Sequence, residues 1–131
     1  MQPGAGLGGK AMLGRLSEIY GVTGHEGRVR AFLKAELAPY ADEVITDPIG
    51  NLILHKKGPG PRVMLCAHMD EVGMLVKGVR DDGLLAIECR SIDPRVLISK
   101  RVVVGRDDVP GVIGAKAIHQ QTKQEREKAL Q

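Results

Sequence analysis

The sequence predicts an α/β fold, in which helices cover a sheet and a β-rich segment follows. The first observation is the stretch Arg62–Gly73, where an unbroken apolar run from Val63 to Ala67 changes abruptly to polar residues. A strand that is apolar at every position is typical of the centre of a helix-covered sheet, because both its faces are buried. The second observation is that apolar residues recur at helical spacing before residue 40, whereas short β-rich runs with turn signals follow residue 73.

Two helices are predicted in the first forty residues. Residues 1–9 hold four glycines and a proline and are predicted to be a mobile lead-in. A first helix is predicted over Lys10–Tyr20, ending at Gly21. Thr23 and Glu26 match a capping box, in which the threonine hydroxyl caps the helix and the glutamate bonds back. They predict a second helix that Pro39 closes, with an apolar stripe formed by Val29, Phe32, Leu33 and Leu37.

Short strands and turns dominate the rest of the chain. Glu43–Thr46 and Leu52–Lys56 flank a turn with proline and glycine, which predicts a hairpin beside the central strand. Met74–Val79 and Leu84–Cys89 flank an Asp-Gly pair, the strongest short signal for a hairpin. A third hairpin is predicted with strands Val102–Gly105 and Val112–Lys116 around the loop 106–111. The half after Gly73 is therefore interpreted as a small antiparallel barrel or sandwich, followed by a capping-box helix start at Thr122–Glu125.

Composition argues against several classes of function. One Phe, two Tyr and no Trp leave few aromatic platforms on which bases could stack, and the net charge is only +3, so no nucleic-acid partner is expected. No apolar run approaches the about 20 residues that span a bilayer, so no membrane partner is expected either. The two cysteines form no CxxC pair, which indicates a reducing cytoplasm, and Cys66 is predicted to be buried in the central strand.

Three polar residues follow the predicted central strand, namely His68, Asp70 and Glu71. Ligands of open α/β sheets bind outside the carboxyl ends of the strands, which is where these residues are placed. His68 and Asp70 lie two apart and share a face of an extended chain, so the carboxylate can hold one imidazole nitrogen while the other faces a metal. A strand-end histidine satisfied by its neighbour fits this stretch equally well. A single-metal site that adds Cys66 is the weaker alternative.

The wider sequence resembles the M42 family of metallo-aminopeptidases. The resemblance runs from about Met12 to the last residue, through GVTGHEGRVRAFLKAEL, DEVITDPIGNLILHKKGPGPRVMLCAHMDEVGMLV, IDPRVL and GVIGAKAIH. It implies a cytoplasmic enzyme that releases N-terminal residues from peptides, forms homo-oligomers and holds two zinc or cobalt ions per site. His68 would be a metal ligand and Asp70 the catalytic partner that orients it. His25 and His55 are expected on the surface, and His119 is left outside the site.

The same resemblance implies a domain division and an incomplete site. Residues 10–70 would be the N-terminal part of a zinc-peptidase-like catalytic domain, and residues 71–131 the start of an inserted dimerisation domain. The family's other metal ligands would lie beyond Gln131, so the chain is expected to be an N-terminal portion that is inactive alone. Two alternatives stay open: a non-catalytic assembly protein, and an endoglucanase, a name given to some members. The endoglucanase is disfavoured because Asp70 and Glu71 are adjacent and would point opposite ways on a strand.

Overall fold

A computed structural model of the chain describes residues 9–89, 92–116 and 118–124. The chain divides into two compact units, Met1–Arg90 and Ser91–Gln131. Apart from Gly9, the predicted lead-in lies outside the described residues, as does Glu125 of the predicted last helix. In the part of the chain that is described, no helix has both the length and the hydropathy needed to cross a membrane.

Over residues 9–89 the first unit contains two helices and two hairpins. In chain order its elements are α1 (Gly9–Ser17), α2 (Gly27–Leu37), a 3₁₀ turn (Ala38–Tyr40), β1 (Glu43–Thr46), β2 (Leu52–His55), β3 (Met74–Val79) and β4 (Leu85–Cys89). Strand β1 pairs antiparallel with β2, and β3 pairs antiparallel with β4, with a bulge between Val76 and Gly78. The mixed α/β character and both predicted hairpins are confirmed, with strand ends within one residue of those expected.

In its described residues the second unit contains one hairpin and two 3₁₀ turns. Its elements are a turn at Pro94–Val96, β5 (Arg101–Val104), β6 (Val109–Val112) and a turn at Ile118–Gln120. The third hairpin forms as predicted, but the predicted strand bounds were wrong, since Pro110 and Gly111 lie inside β6 and not in the loop. Gly105 and Asp108 adopt positive φ angles of 74° and 54°, which close the connection early. Strand β6 tolerates Pro110 because it has a single neighbour in the described structure.

The β1–β2 turn is held by the side chain of Asp47. Its Oδ1 accepts hydrogen bonds from the backbone N–H groups of Ile49 (3.1 Å) and Asn51 (2.8 Å), and its Oδ2 accepts one from Asn51 Nδ2 (2.7 Å). Gly50 supplies the positive φ of 95° that the reversal needs. Arg30 of α2 donates from Nη1 to the carbonyl oxygen of Gly50 (2.7 Å), which ties the helix to this turn.

The stretch predicted to be the buried central strand is neither paired nor buried. Residues 61–70 contain no strand, and Val63, Met64 and Leu65 expose 80%, 84% and 93% of their surface. Cys66, also predicted to be buried, is exposed. An apolar run forms a central strand only where other strands supply hydrogen bonds on both sides, and the described residues place no strand beside this one.

Helix α2 carries the most buried side chain of the described core. Val29 is only 4% exposed, and Arg15 of α1 lies over the ring of Phe32 at 4.8 Å. The predicted capping box was wrong, because α2 begins at Gly27 and its N-cap residue, Glu26, makes no side-chain capping bond. The first helix is also shorter than predicted, since it ends at Ser17.

Candidate metal-binding site

The candidate site lies where the loop after α1 meets the segment that carries His68 and Asp70. The backbone N–H of Glu71 donates to the carbonyl oxygen of Gly21 (2.8 Å), and the N–H of Gly21 donates to Glu71 Oε1 (3.0 Å). Val22 and Glu71 form an isolated parallel bridge at the same place. The two segments are therefore joined by backbone pairing and by a carboxylate, although neither belongs to a regular sheet.

Two glycines allow this close approach. A Cβ atom on Gly73 would overlap the side chain of Val22, and one on Gly21 would lie 2.5 Å from Val29 Cγ2. Real Cβ atoms essentially never come that close to another heavy atom. The loop is consequently packed between the buried residue of α2 and the segment that bears the site.

His68 and Asp70 meet as the sequence predicts. His68 Nδ1 lies 3.2 Å from Asp70 Oδ1 and 3.0 Å from the backbone oxygen of the same residue. Both oxygens accept hydrogen bonds, so the geometry requires Nδ1 to carry the proton, and in the neutral ring Nε2 then keeps its lone pair. The His68 side chain is 85% exposed, whereas that of Asp70 is 37% exposed. The ring thus has one nitrogen fixed and one suited to bind a metal.

Thr23 also contacts Asp70, and the sequence interpretation missed this. Thr23 Oγ1 donates to Asp70 Oδ2 at 2.7 Å. This hydroxyl bond is the main reason that the pKa of Asp70 lies below its ordinary value, with smaller contributions from the Asp70 backbone and from His68. The capping-box match assigned Thr23 to a helix, and a partner 47 residues away leaves no local signal in the sequence.

A cleft of about 260 Å³ lies beside these residues. The lining residues from the helices and the loop after α1 are mainly apolar, and those of the site segment are mainly polar; the lining comprises Leu16, Ser17, Ile19, Val29, Leu33, His68, Met69, Asp70 and Glu71. Glu71, predicted at the mouth of the strand, is at the cleft, but one of its oxygens is bonded to the loop. The cleft places an apolar surface next to an exposed imidazole.

Among the described residues, His68 is oriented to bind a metal, but a complete set of ligands is not present. Nowhere in residues 9–89, 92–116 and 118–124 do three or more His, Cys, Asp or Glu side chains converge to hold an ion. The alternative of a site built from Cys66, His68 and Asp70 is therefore not formed. His25 is exposed, as expected, and His55 Nδ1 lies 3.8 Å from Glu43 on the β1–β2 hairpin. A metal at His68 requires further ligands.

Comparison with known sequences points to one family. The family described as M42 glutamyl aminopeptidase matches residues 50–131. Lysyl aminopeptidase of Pyrococcus furiosus is 33% identical over 112 residues, which cover 82% of this chain and 32% of that enzyme. The chain thus spans about a third of the length of this relative.

Similar solved structures include proteins named aminopeptidase and one named endoglucanase. A TET aminopeptidase from the Thaumarchaeota archaeon SCGC AB-539-E09 is 34% identical, with a TM-score of 0.78 over 88% of this chain and 33% of that one. PhTET1-12s, described as a dodecamer, is 35% identical with a TM-score of 0.72, over 84% and 34% of the two chains. A Thermotoga maritima protein named endoglucanase is 39% identical with a TM-score of 0.71, over 78% and 33%.

Proposed function

Because the chain belongs to the M42 family of glutamyl aminopeptidases, we propose that it supplies the N-terminal part of a metal-dependent aminopeptidase site. In this proposal His68 is a metal ligand and Asp70 is the partner that orients it. The substrate is a peptide whose N-terminal residue is released. The two contacts of His68 Nδ1 with Asp70 carry the proposal, since they leave Nε2 of an exposed ring with its lone pair.

The residues of this chain have separate tasks in that site. His68 lends Nε2 to an ion, and Asp70 fixes the ring and raises its basicity through the bond to Nδ1. Two bound zinc or cobalt ions would activate a water molecule and polarise the scissile carbonyl, without a covalent intermediate. Glu71 bonds to the loop at Gly21, which holds the segment carrying both residues in place.

The proposal also covers the activity, domain organisation, location and assembly of the chain. Among the described residues no three candidate ligands converge, so the 131 residues by themselves are proposed to lack peptidase activity. The further ligands would then come from chain outside these residues or from a second copy. Residues 10–70 would belong to the catalytic domain and residues 71–131 to a dimerisation domain. We also propose that the protein is cytoplasmic and assembles into a homo-oligomer. The dodecamer of PhTET1-12s supports the proposed assembly.

A metal titration with two histidine variants tests the role of His68. The chain, His68→Ala and His55→Ala are titrated with Co²⁺ and Zn²⁺, and bound metal is measured by calorimetry and elemental analysis. His55 is the matched control, because it too is an exposed histidine beside a carboxylate. We expect affinity to fall at least about 10-fold in His68→Ala and to stay unchanged in His55→Ala. Equal affinity in all three proteins would make His68 an ordinary surface histidine.

A non-catalytic assembly protein is the second candidate. It is favoured by the apolar side chains that the open hairpin β3–β4 exposes, among them Leu75, Val76 and Val79. The endoglucanase reading is weaker. Glycoside hydrolysis needs two carboxylates that flank a sugar, about 5–5.5 Å or about 6.5–9.5 Å apart, and here Asp70 and Glu71 are each engaged by protein groups. The metal titration distinguishes the first two candidates, because an assembly protein without a metal site should show equal metal affinity with and without His68.

A further inference from the structure

We propose that Thr23 is a positioning residue of the metal site, whose hydroxyl sets the carboxylate of Asp70 so that one oxygen faces His68. The inference rests on the proposed function where it concerns metal affinity. Its geometric part, the orientation of Asp70 and the tautomer of His68, is a property of the protein without metal.

The two oxygens of Asp70 are divided between two partners. Oδ2 accepts the Thr23 hydroxyl at 2.7 Å, while Oδ1 lies 3.2 Å from His68 Nδ1. A carboxylate can only accept, so the direction of the threonine bond is fixed and the hydroxyl proton is committed to Oδ2. The terminal torsion of an aspartate is broad and roughly two-fold, so one weak contact would not hold the group. A second anchor on the opposite oxygen restricts that rotation.

Thr23 is itself held firmly enough to act as an anchor. Before it, Gly21 and Glu71 are joined by two hydrogen bonds. After it, Gly24 adopts a φ of 83° and its N–H donates to Glu26 Oε1 at 2.6 Å. The N–H of His25 also donates to the carbonyl oxygen of Val22 at 2.8 Å, which closes a tight turn around Thr23. As a β-branched residue, threonine has few χ1 rotamers, which limits the directions that its hydroxyl can take.

Loss of the hydroxyl should weaken the site without abolishing it. The backbone oxygen of Asp70 remains 3.0 Å from His68 Nδ1, so the ring retains one acceptor when the carboxylate rotates away. We expect Zn²⁺ affinity to fall about 10-fold, at the lower end of the 10–100-fold range for losing an outer-shell partner. The share of His68 with the proton on Nδ1 should fall as well.

The test compares Thr23→Val, which removes the hydroxyl at nearly constant shape, with Thr23→Ser, which keeps it. Thr46→Val, on the exposed strand β1, is the matched control. Each 131-residue protein is titrated with Zn²⁺ alone, and ring ¹⁵N shifts of His68 are recorded without metal, above the pH range in which imidazole titrates. Amide resonances of β1 and β2 verify folding, and Thr23→Ala replaces Thr23→Val if those are lost. We expect the valine variant to bind Zn²⁺ about 10-fold more weakly and to hold a smaller share of the Nδ1–H tautomer, and the serine and Thr46 variants to resemble the parent.

The outcomes separate this inference from the proposed function. Unchanged His68 shifts in Thr23→Val, or equal shifts in Thr23→Ser and Thr23→Val, would overturn the positioning role while leaving His68 as a ligand. If His68→Ala does not alter Zn²⁺ binding, the proposed function fails, and the tautomer measurement still decides whether Thr23 sets Asp70. Loss of the tautomer and of Zn²⁺ affinity together, with rescue by serine, supports the role of Thr23.

Discussion

At the scale of single residues, the site depends on the ionised state of Asp70. The carboxylate accepts from both His68 and Thr23, and its charge favours a proton on Nδ1. We expect Asp70→Asn to lower Zn²⁺ affinity about 10–100-fold, because an amide is a weaker acceptor and can turn its NH₂ group towards the ring. The measurement is calorimetric titration with Zn²⁺, which also reports weak binding. Asp81→Asn in the β3–β4 turn is the control, and an equal loss in both variants would indicate a general charge effect.

Lowered aspartate pKa values predict how stability depends on pH. The pKa of Asp93 is lowered to about 2 by Arg95, and that of Asp70 is lowered mainly by Thr23. A group with a lowered folded pKa contributes stability above its ordinary value, here 3.8, and loses it as the pH falls through the folded pKa. The thermal midpoint should therefore fall between about pH 4 and pH 2. Melting curves followed by circular dichroism would contradict this if the midpoint stayed constant or rose.

At the scale of elements, the docking of the loop against the segment 69–73 holds the site together. A Cβ on Gly73 would overlap Val22, so Gly73→Ala should displace the loop and cost about 1–3 kcal/mol, as overpacking does. Gly78→Ala is the matched control, because its Cβ would meet nothing within 4 Å, and it should change stability by less than about 0.5 kcal/mol. Denaturant unfolding and Zn²⁺ titration measure both effects. If the two variants behaved alike, the close packing at Gly73 would not support the site.

At the scale of the whole molecule, exposed apolar surface predicts self-association. Leu65 is 93% exposed within the run Val63–Ala67, and the hairpins leave open edges. Light scattering should give a mass above 14.1 kDa that rises with concentration. Leu65→Asp should reduce the association more than Ile49→Asp, which changes an apolar residue that is 86% exposed in a turn. A concentration-independent monomer would show that the fold needs no partner.

The isolated chain should also fail to hydrolyse peptides. Nowhere in the described part of the chain do three candidate ligands converge, so an added ion would keep mostly water ligands and bind loosely. The assay is release of free amino acids from short peptides and aminoacyl chromogenic substrates, with zinc or cobalt, beside metal-free and His68→Ala samples. Robust activity that requires both metal and His68 would show that the chain carries the missing ligands or recruits them from another copy.

Local patterns in the sequence determined the hairpins and the pairing of His68 with Asp70. An Asp-Gly turn and an HxD spacing act over a few residues, so their geometry follows from nearby chain alone. The end of α1 and the bounds of β6 differ by a few residues from those predicted. Helix ends fray, and a strand with one neighbour accepts Pro110. The M42 family, too, could be identified from the sequence, since its motifs keep their order and spacing.

Only the tertiary structure shows which groups surround His68 and Asp70. Thr23 satisfies the local rule for a helix cap, yet it bonds to Asp70, because a distant carboxylate brought close by the Gly21–Glu71 pairing competes with the helix N-terminus. The run Val63–Ala67 satisfies the rule for a buried strand, yet it is exposed. A strand is buried only when other strands pair with it and helices cover its faces. The sequence pattern predicts which residues a strand would bury, but not whether those neighbours are present.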